Sequence, residues 1–320
     1  MQRVVVTGGS GFIGSNLVEA LLSEGTEVLN LDTFEPNLAN QTGCWLPVDC
    51  TAYEAVLGAL RSFRPEAVVH LAARTDLDEG ASLSEYSVNP AATDVVLRAS
   101  LEVADLQRVL VTSTMLVHRL GSFDREVAPY SPETVYGRSK VQSERLVHEL
   151  GETHFSCTIM RPTTIWGPWN VGVRDRFLTR IANRTYVHPS GRSAIRSYGY
   201  VGNTVRQILA LLEAPCRIVD RKTVYLGDRP IALSDYVDAF SVAVTGRPAR
   251  RAPLGVFRVG AVIGDAGERL LRRPLPLTSY RLSNMTQDNV IDMEPTLSLL
   301  GEPAISLEQG VLETVEWAFP

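Results

Sequence analysis

Two residues four positions apart give the first chemical signal. Tyr136 and Lys140 stand in the stretch ETVYGRSKVQSE, and Lys140 is one of two lysines among 31 Lys plus Arg, the other being Lys222. On a helix, positions i and i+4 share a face, so a phenol and an ammonium would project into one space. A phenol ionises near pH 10, and lowering that by about three units takes about 4 kcal/mol of differential stabilisation. A neighbouring ammonium and a bound cationic pyridine ring would supply it together, leaving a base that takes a hydroxyl proton at neutral pH. Arginine is longer, planar and forked, and would not fill the position equivalently. Lysine at 140 reads as a chemical requirement.

Ten tyrosines make a chance pairing conceivable, so the surroundings decide. TGGSGFIG offers Gly9-x-Gly11-x-x-Gly14, and equally Gly8-x-x-Gly11-x-x-Gly14, directly after Val4-Val5-Val6. One glycine lets the chain leave a strand in a tight turn, one lets a diphosphate lie on bare backbone, and one lets a helix pack closely on the sheet. The free N–H groups opening that helix favour the same anion. Asp32 ends the next apolar run, where a carboxylate would accept from ribose hydroxyls and repel a 2′-phosphate. No arginine follows in DTFEPN and Glu35 adds negative charge, so NAD is expected over NADP. Asp49, in PVDCT, has two readings: a partner for the adenine amino group, or the N-cap of a helix beginning near Thr51.

These residues need elements that aim strand ends at one crevice. Residues 11–24 put Ile13, Leu17, Ala20 and Leu21 on one helical face, and Gly25 stops the helix. EVLNLD is a strand, TAYEAVLGALRSF a helix and AVVHLAA a strand. Leu83 to Val103 is roughly helical, with Pro90 interrupting near its start. RVLVTST is a strand, Glu133 to Leu150 a helix and SCTIMRP a strand. Such alternation predicts an α/β fold with a Rossmann-type, doubly wound parallel sheet. Residues 1–165 are expected to form the NAD-binding domain, and residues 166–320 mainly a smaller, interleaved C-terminal substrate lobe. TVYLGD, near 222–228, is expected to return to the sheet.

Composition narrows the classes. With 320 residues, 45% hydrophobic and 21% charged, the chain can bury a large core. A net charge of −5 argues against nucleic acid, while a local pocket can still hold a small anion. Cys44, Cys50, Cys157 and Cys216 are scattered, and the five histidines show no ligand spacing, so no metal is expected. MQRVVVTGG is too short an apolar run for a signal peptide. VFRVGAVIG is short and carries Arg258, well under the roughly 18 apolar residues of a membrane span. A cytoplasmic protein without a membrane partner is expected.

VTGGSGFIG, Asp32, HLAA at His70 to Ala73, Asn89, TST at Thr112 to Thr114 and YGRSK together resemble the extended short-chain dehydrogenase/reductase family, nucleotide-sugar epimerase and dehydratase type. RPTTIWGP, SYGYVGNTV and LGEPAISLEQGVLETVEW carry the likeness over nearly the whole chain. The resemblance implies Tyr136 as general base and acid, Lys140 as its activator, and Thr114 as the hydroxyl that bonds the reacting oxygen and relays its proton. It implies NAD contacts at Gly8, Gly11, Phe12, Ile13, Gly14, Asp32, Asp49, Leu71, Ala72, Ala73, Thr112, Tyr136, Lys140 and Pro162. It places Thr164 beside the sugar, Arg196 on the substrate diphosphate and Arg281 as the partner of Arg196. It also implies a homodimer through helices 83–103 and 133–150, although Val135, Val141, Leu146 and Val147 would equally be covered within one chain.

Departures from the family pattern narrow the activity. In sugar 4,6-dehydratases an Asp-Glu pair follows the residue matching Thr114 and eliminates water; here Met115 and Leu116 stand there and cannot move a proton. His118 stands where the family usually has Tyr, Thr164 where 4-epimerases carry Asn, and YVGN at Tyr200 to Asn203 lacks the usual Asp. The expected activity is NAD-dependent epimerisation of a nucleotide-diphosphate sugar at C4 through a transient 4-keto sugar. A ketoreductase or dehydrogenase of a keto-sugar or small hydrophobic alcohol would use the same three residues. A non-catalytic dinucleotide sensor would be expected to lack the Tyr or the Lys.

Overall fold

The valines after Arg3 alternate across a sheet, as a period of two requires. In the computed structural model, which describes residues 1–78, 80–119, 121, 130–271 and 277–320 (the side chains of 269–271 and 280 apart), β1 spans Arg3–Thr7. Val4 and Val6 enter the core on one face and Val5 the core on the other, all fully buried. The same split recurs in β4 (Ala67–His70) and β5 (Arg108–Thr112), where Val69 and Leu110 face one layer and Val68 and Val109 the other.

With β2 (Glu27–Asp32), β3 (Trp45–Pro47), β6 (Ser156–Pro162) and a last strand at Thr223–Leu226, these form one seven-stranded sheet. Its order is Thr223–Leu226, β6, β5, β4, β1, β2, β3, and every pair is parallel. Parallel neighbours need crossovers. Helix α1 (Phe12–Ser23) packs on one face together with helix Val201–Glu213, while α2 (Tyr53–Phe63), α3 (Val88–Leu101) and α4 (Val135–Glu149) cover the other. The strand order reverses between β1 and β4, so a crevice opens beyond Thr7 and His70.

Beyond residue 165 the chain builds short two-stranded sheets, such as Thr164–Trp166 with Tyr198–Tyr200. Trp166, Tyr198, Tyr200, Tyr236 and Phe240 pack ring on ring there, Tyr198 and Tyr236 at 4.6 Å between centroids. The segment 83–103 differs from a single helix. A 3₁₀ turn at Leu83–Tyr86, closed by the Ser82–Glu85 capping box, precedes α3. Pro90 lies inside the first turn of α3, where its missing N–H has no helical partner to lose, so it does not interrupt the helix.

Val141 and Val147 are buried within the chain, whereas Arg98, Arg138, Gln142, Arg145 and Glu149 form an exposed polar surface on α3 and α4. Among the described residues, no helix is long and apolar enough to cross a membrane. Leu110 is fully buried at the centre of the sheet. Leu110→Ala is expected to lower unfolding free energy by about 2–5 kcal/mol, read from urea denaturation; a loss within error of zero would contradict this core.

Candidate active site

The glycine turn works by close approach. A Cβ on Gly14 would lie 2.1 Å from the Gly8 carbonyl oxygen, so only glycine lets α1 start where it does. Bare backbone then faces a cavity of about 1020 Å³ at the strand ends. The Ser10 and Phe34 N–H groups each donate to one oxygen of Asp32, both at 3.0 Å, and fix that carboxylate beside the turn. From Asp32 on β2 to Thr112 on β5 is three inter-strand steps, about 14 Å, a span for two nucleotides rather than one.

Gly8, Gly11, Phe12, Ile13, Gly14, Asp32, Asp49, Leu71, Ala72, Ala73, Thr112, Tyr136, Lys140 and Pro162 all line this cavity. Asp49 is not an N-cap: α2 starts at Tyr53 after Ala52, and the Asp49 carboxylate accepts from the Thr51 N–H and hydroxyl. Lys140 is the one Lys or Arg among the described lining residues, while Asp32, Glu35 and Asp49 gather on the β2–β3 side. A 2′-phosphate would meet three carboxylates and no cation. Thr112 Oγ1 is buried without a hydrogen-bond partner, a polar atom left for a ligand. The cradle, the acidic ribose end and the orphaned hydroxyl fit NAD.

Tyr136 and Lys140 enter from α4. Thr134 caps that helix by accepting from the Gly137 N–H at 2.9 Å. A Cβ on Gly137 would sit 2.3 Å from the Leu116 carbonyl oxygen, so glycine lets α4 press on the Thr114–Leu116 turn. That contact sets Thr114 and Tyr136 on the wall of the same cavity, where the Thr114 hydroxyl acts to lower the pKa of the phenol. Asn89 ties the loop after β4 to α4: it accepts from the Arg74 N–H and donates to Ser139, which donates to the Tyr136 carbonyl.

Burial holds the Tyr136 phenol above its ordinary value, with the Thr114 hydroxyl pulling it partway back and Tyr86 pushing it up. The expected depression of the phenol by Lys140 is therefore not present in the protein alone. Loss of water around a phenolate outweighs what the chain supplies. Lys140, 2% exposed, is brought down to about 8 by burial, against the opposing pull of Glu144. His70, pressed to about 3 by burial and by Lys140, stays neutral between the Thr7 and Thr93 hydroxyls.

Glu144 is the site residue that sequence reasoning missed. It follows Lys140 by four positions, so the spacing that marked Tyr136 and Lys140 extends one turn further. It is fully buried and accepts from Arg161 Nε at 2.8 Å and Nη2 at 2.6 Å, from Ser113 Oγ and from Tyr130 Oη. Burial pushes its carboxyl up, but Arg161 and the two hydroxyls hold it below the usual range. Arg161 Nη1 also donates to His118 Nε2 at 3.0 Å, which fixes that ring nitrogen as an acceptor.

A second cavity of about 970 Å³ adjoins the first, and Tyr136, Thr164, Met115, Leu116 and Ile165 line both. Arg196 lines it and donates to the Gln287 carbonyl. Arg281 is exposed and does not line it; its helix, Ser279–Thr286, contributes Ser283, Asn284 and Met285 instead. Trp166, Phe177, Tyr186, Tyr198 and Tyr236 make much of the wall aromatic. Among the described residues no His, Cys, Asp and Glu cluster could hold a metal.

Comparison with known proteins agrees with this geometry. The chain is 27% identical to N-acetyl-alpha-D-glucosaminyl-diphospho-ditrans,octacis-undecaprenol 4-epimerase of Escherichia coli O157:H7, over 99% of this chain and 96% of that protein. It is 28% identical to a 3-beta-hydroxysteroid dehydrogenase of Mycolicibacterium neoaurum, over 99% and 91%. Its fold superposes on UDP-glucose 4-epimerase of Thermus thermophilus in complex with NAD, with a TM-score of 0.74, 22% identity, and 99% and 98% of the two chains covered. The model of the NAD dependent epimerase/dehydratase family matches residues 4–227. The chain belongs to that family of extended short-chain dehydrogenase/reductase enzymes, and its cofactor is NAD.

Proposed function

We propose that the protein is a 4-epimerase of a nucleotide-diphosphate sugar, with residues 1–165 holding the cofactor and residues 166–320 mainly the substrate. The observation that carries this reading is the place of Tyr136 and Thr164 on the boundary of the two cavities. A sugar hydroxyl in the second cavity would meet Thr114 and Tyr136 while its carbon faces the dinucleotide. Thr114 bonds that oxygen and relays its proton to Tyr136, and Tyr136 returns it when the alcohol is restored. Lys140 would hold the nicotinamide ribose and supply the positive charge beside the phenol. NAD, when bound, supplies the hydride acceptor and donor that turn the alcohol into a ketone and back.

Arg196 is the anchor for the diphosphate, and Arg281 would have to swing inward to join it. Met115 and Leu116 offer no acid or base for dehydration. The large second cavity leaves room for the keto sugar to present its other face. The Escherichia coli relative is named for a sugar on a polyprenyl diphosphate, so the carrier beyond the diphosphate belongs in the test. The aromatic wall favours a second reading, dehydrogenation of a hydrophobic alcohol, in line with the hydroxysteroid dehydrogenase relative. The four thiols are free, which suits a reducing cytoplasm. A homodimer through α3 and α4 would meet on a mixed surface, with Arg98, Arg138, Gln142, Arg145 and Glu149 beside the exposed Val88 and Leu101.

Denatured protein is expected to release NAD, and native protein to interconvert a sugar 4-epimer pair without net reduction of NAD. Stoichiometric reduction would establish the dehydrogenase reading instead. Tyr136→Phe is expected to cut kcat by about 10²–10⁴ while NAD stays bound; unchanged turnover would remove Tyr136 from the chemistry. Glu144 raises the Lys140 pKa, so Glu144→Gln lets the ammonium lose its proton at lower pH. The alkaline limb of the rate profile, where Lys140 loses its proton, then moves down. Thermal stability falls too, but an unmoved limb would make Glu144 structural only.

A further inference from the structure

Helix Leu254–Leu271 has two apolar faces, and only the inner one is packed against described elements, helix Ser279–Thr286 and the strands Val187–Ser190 and Arg250–Pro253. Its inner face, Phe257 and Ala261, is buried against Leu282 with Leu277 and Met285 at the edge. Its outer face carries Val256, Val259, Val262 and Ile263, each between 63% and 66% exposed. At 100° per residue these four fall within an arc of about 120°, with Arg258 at the margin. They make up four of the fourteen exposed large apolar side chains among the described residues and sit within eight residues, so they form a patch rather than scatter.

The surrounding charge says what covers the patch. Residues 247–281 hold eight arginines and two acids, Asp265 and Glu268; eight less two leaves +6. The whole chain is −5, so the remainder carries −11. Arg247, Arg250 and Arg258 are exposed, while Asp265 is turned inward and accepts from Ser279. Arg251 is already paired with Asp238, and a second copy would bring the exposed Arg247, Arg250 and Arg258 against the same three arginines. A nucleic acid would want aromatic rings to stack on, and the patch is aliphatic. An apolar strip flanked by arginine is the pattern of a helix lying in a membrane interface, and this helix cannot span one.

We propose that the outer face of Leu254–Leu271 docks the protein onto an anionic lipid surface, with Val256, Val259, Val262 and Ile263 entering the headgroup boundary and the arginines pairing with lipid phosphates. The packed helix Ser279–Thr286 lies directly behind that face and forms part of the wall of the second cavity. Docking therefore sets the substrate cavity next to the bilayer. The inference is independent of the epimerase reading, because binding is measured without substrate or catalysis.

The test is flotation of the full chain with phosphatidylcholine vesicles and with vesicles that also contain phosphatidylglycerol. Binding is expected to the anionic vesicles, to weaken with salt, and to fall roughly tenfold in the Arg250→Glu, Arg258→Glu double variant. Val259→Asp with Ile263→Asp is expected to abolish it with catalysis and melting temperature retained, since both side chains are exposed. No flotation with anionic vesicles would overturn the proposal. So would concentration-dependent dimerisation of the native chain that the double Asp variant loses, which would assign the face to a second copy.

Discussion

A positive charge kept inside the protein is the condition on which the site rests. Removing water from the Lys140 ammonium brings its pKa down to about 8, so it stays charged at neutral pH by a narrow margin. Glu144, one turn further along α4, protects that margin. Glu144 is itself buried and would not remain a carboxylate without the two-point grip of Arg161 and the Ser113 and Tyr130 hydroxyls. The charges alternate along the line Lys140, Glu144, Arg161. Removal of any one leaves its neighbour buried and uncompensated.

The phenol stands at the other end of that line and behaves differently. Its burial favours the neutral form, and the Thr114 hydroxyl recovers only part of the cost. The chain alone therefore holds Tyr136 protonated. A second cation is needed before the phenolate is accessible near pH 7, and the oxidised nicotinamide ring would bring one into the cavity that Tyr136 and Lys140 both line. If Tyr136 is the base, as proposed, its activity is conditional on the cofactor. On the proposed mechanism, an empty site would then be a weak base toward a hydroxyl entering the second cavity.

The fold explains why these groups meet, and how far they were legible beforehand. The glycine turn, Asp32 and the alternation of strands and helices could be read because each follows from local spacing, and the sheet places them at one crevice. The Tyr136–Lys140 pair was legible for the same reason. Glu144 was at the same four-residue spacing but was passed over, because its role depends on Arg161, 17 residues later on strand β6. Pro90 misled because a proline in the first turn of a helix and one in its middle look alike until the start of the helix is known. Arg281 was placed by resemblance, and the packing of its helix turns it outward instead. The apolar run after Pro253 was judged only as a span, and its exposure on a helix surface appears only in three dimensions.

The most direct test of this electrostatic account is to titrate Tyr136 itself. Protein labelled with carbon-13 at the tyrosine ring carbon bearing oxygen, with the resonance assigned by a variant lacking Tyr136, would report its ionisation by NMR. The account predicts a phenol that stays neutral past its ordinary range in cofactor-free protein and ionises at markedly lower pH once oxidised NAD is bound. A titration that is the same with and without the dinucleotide would contradict it.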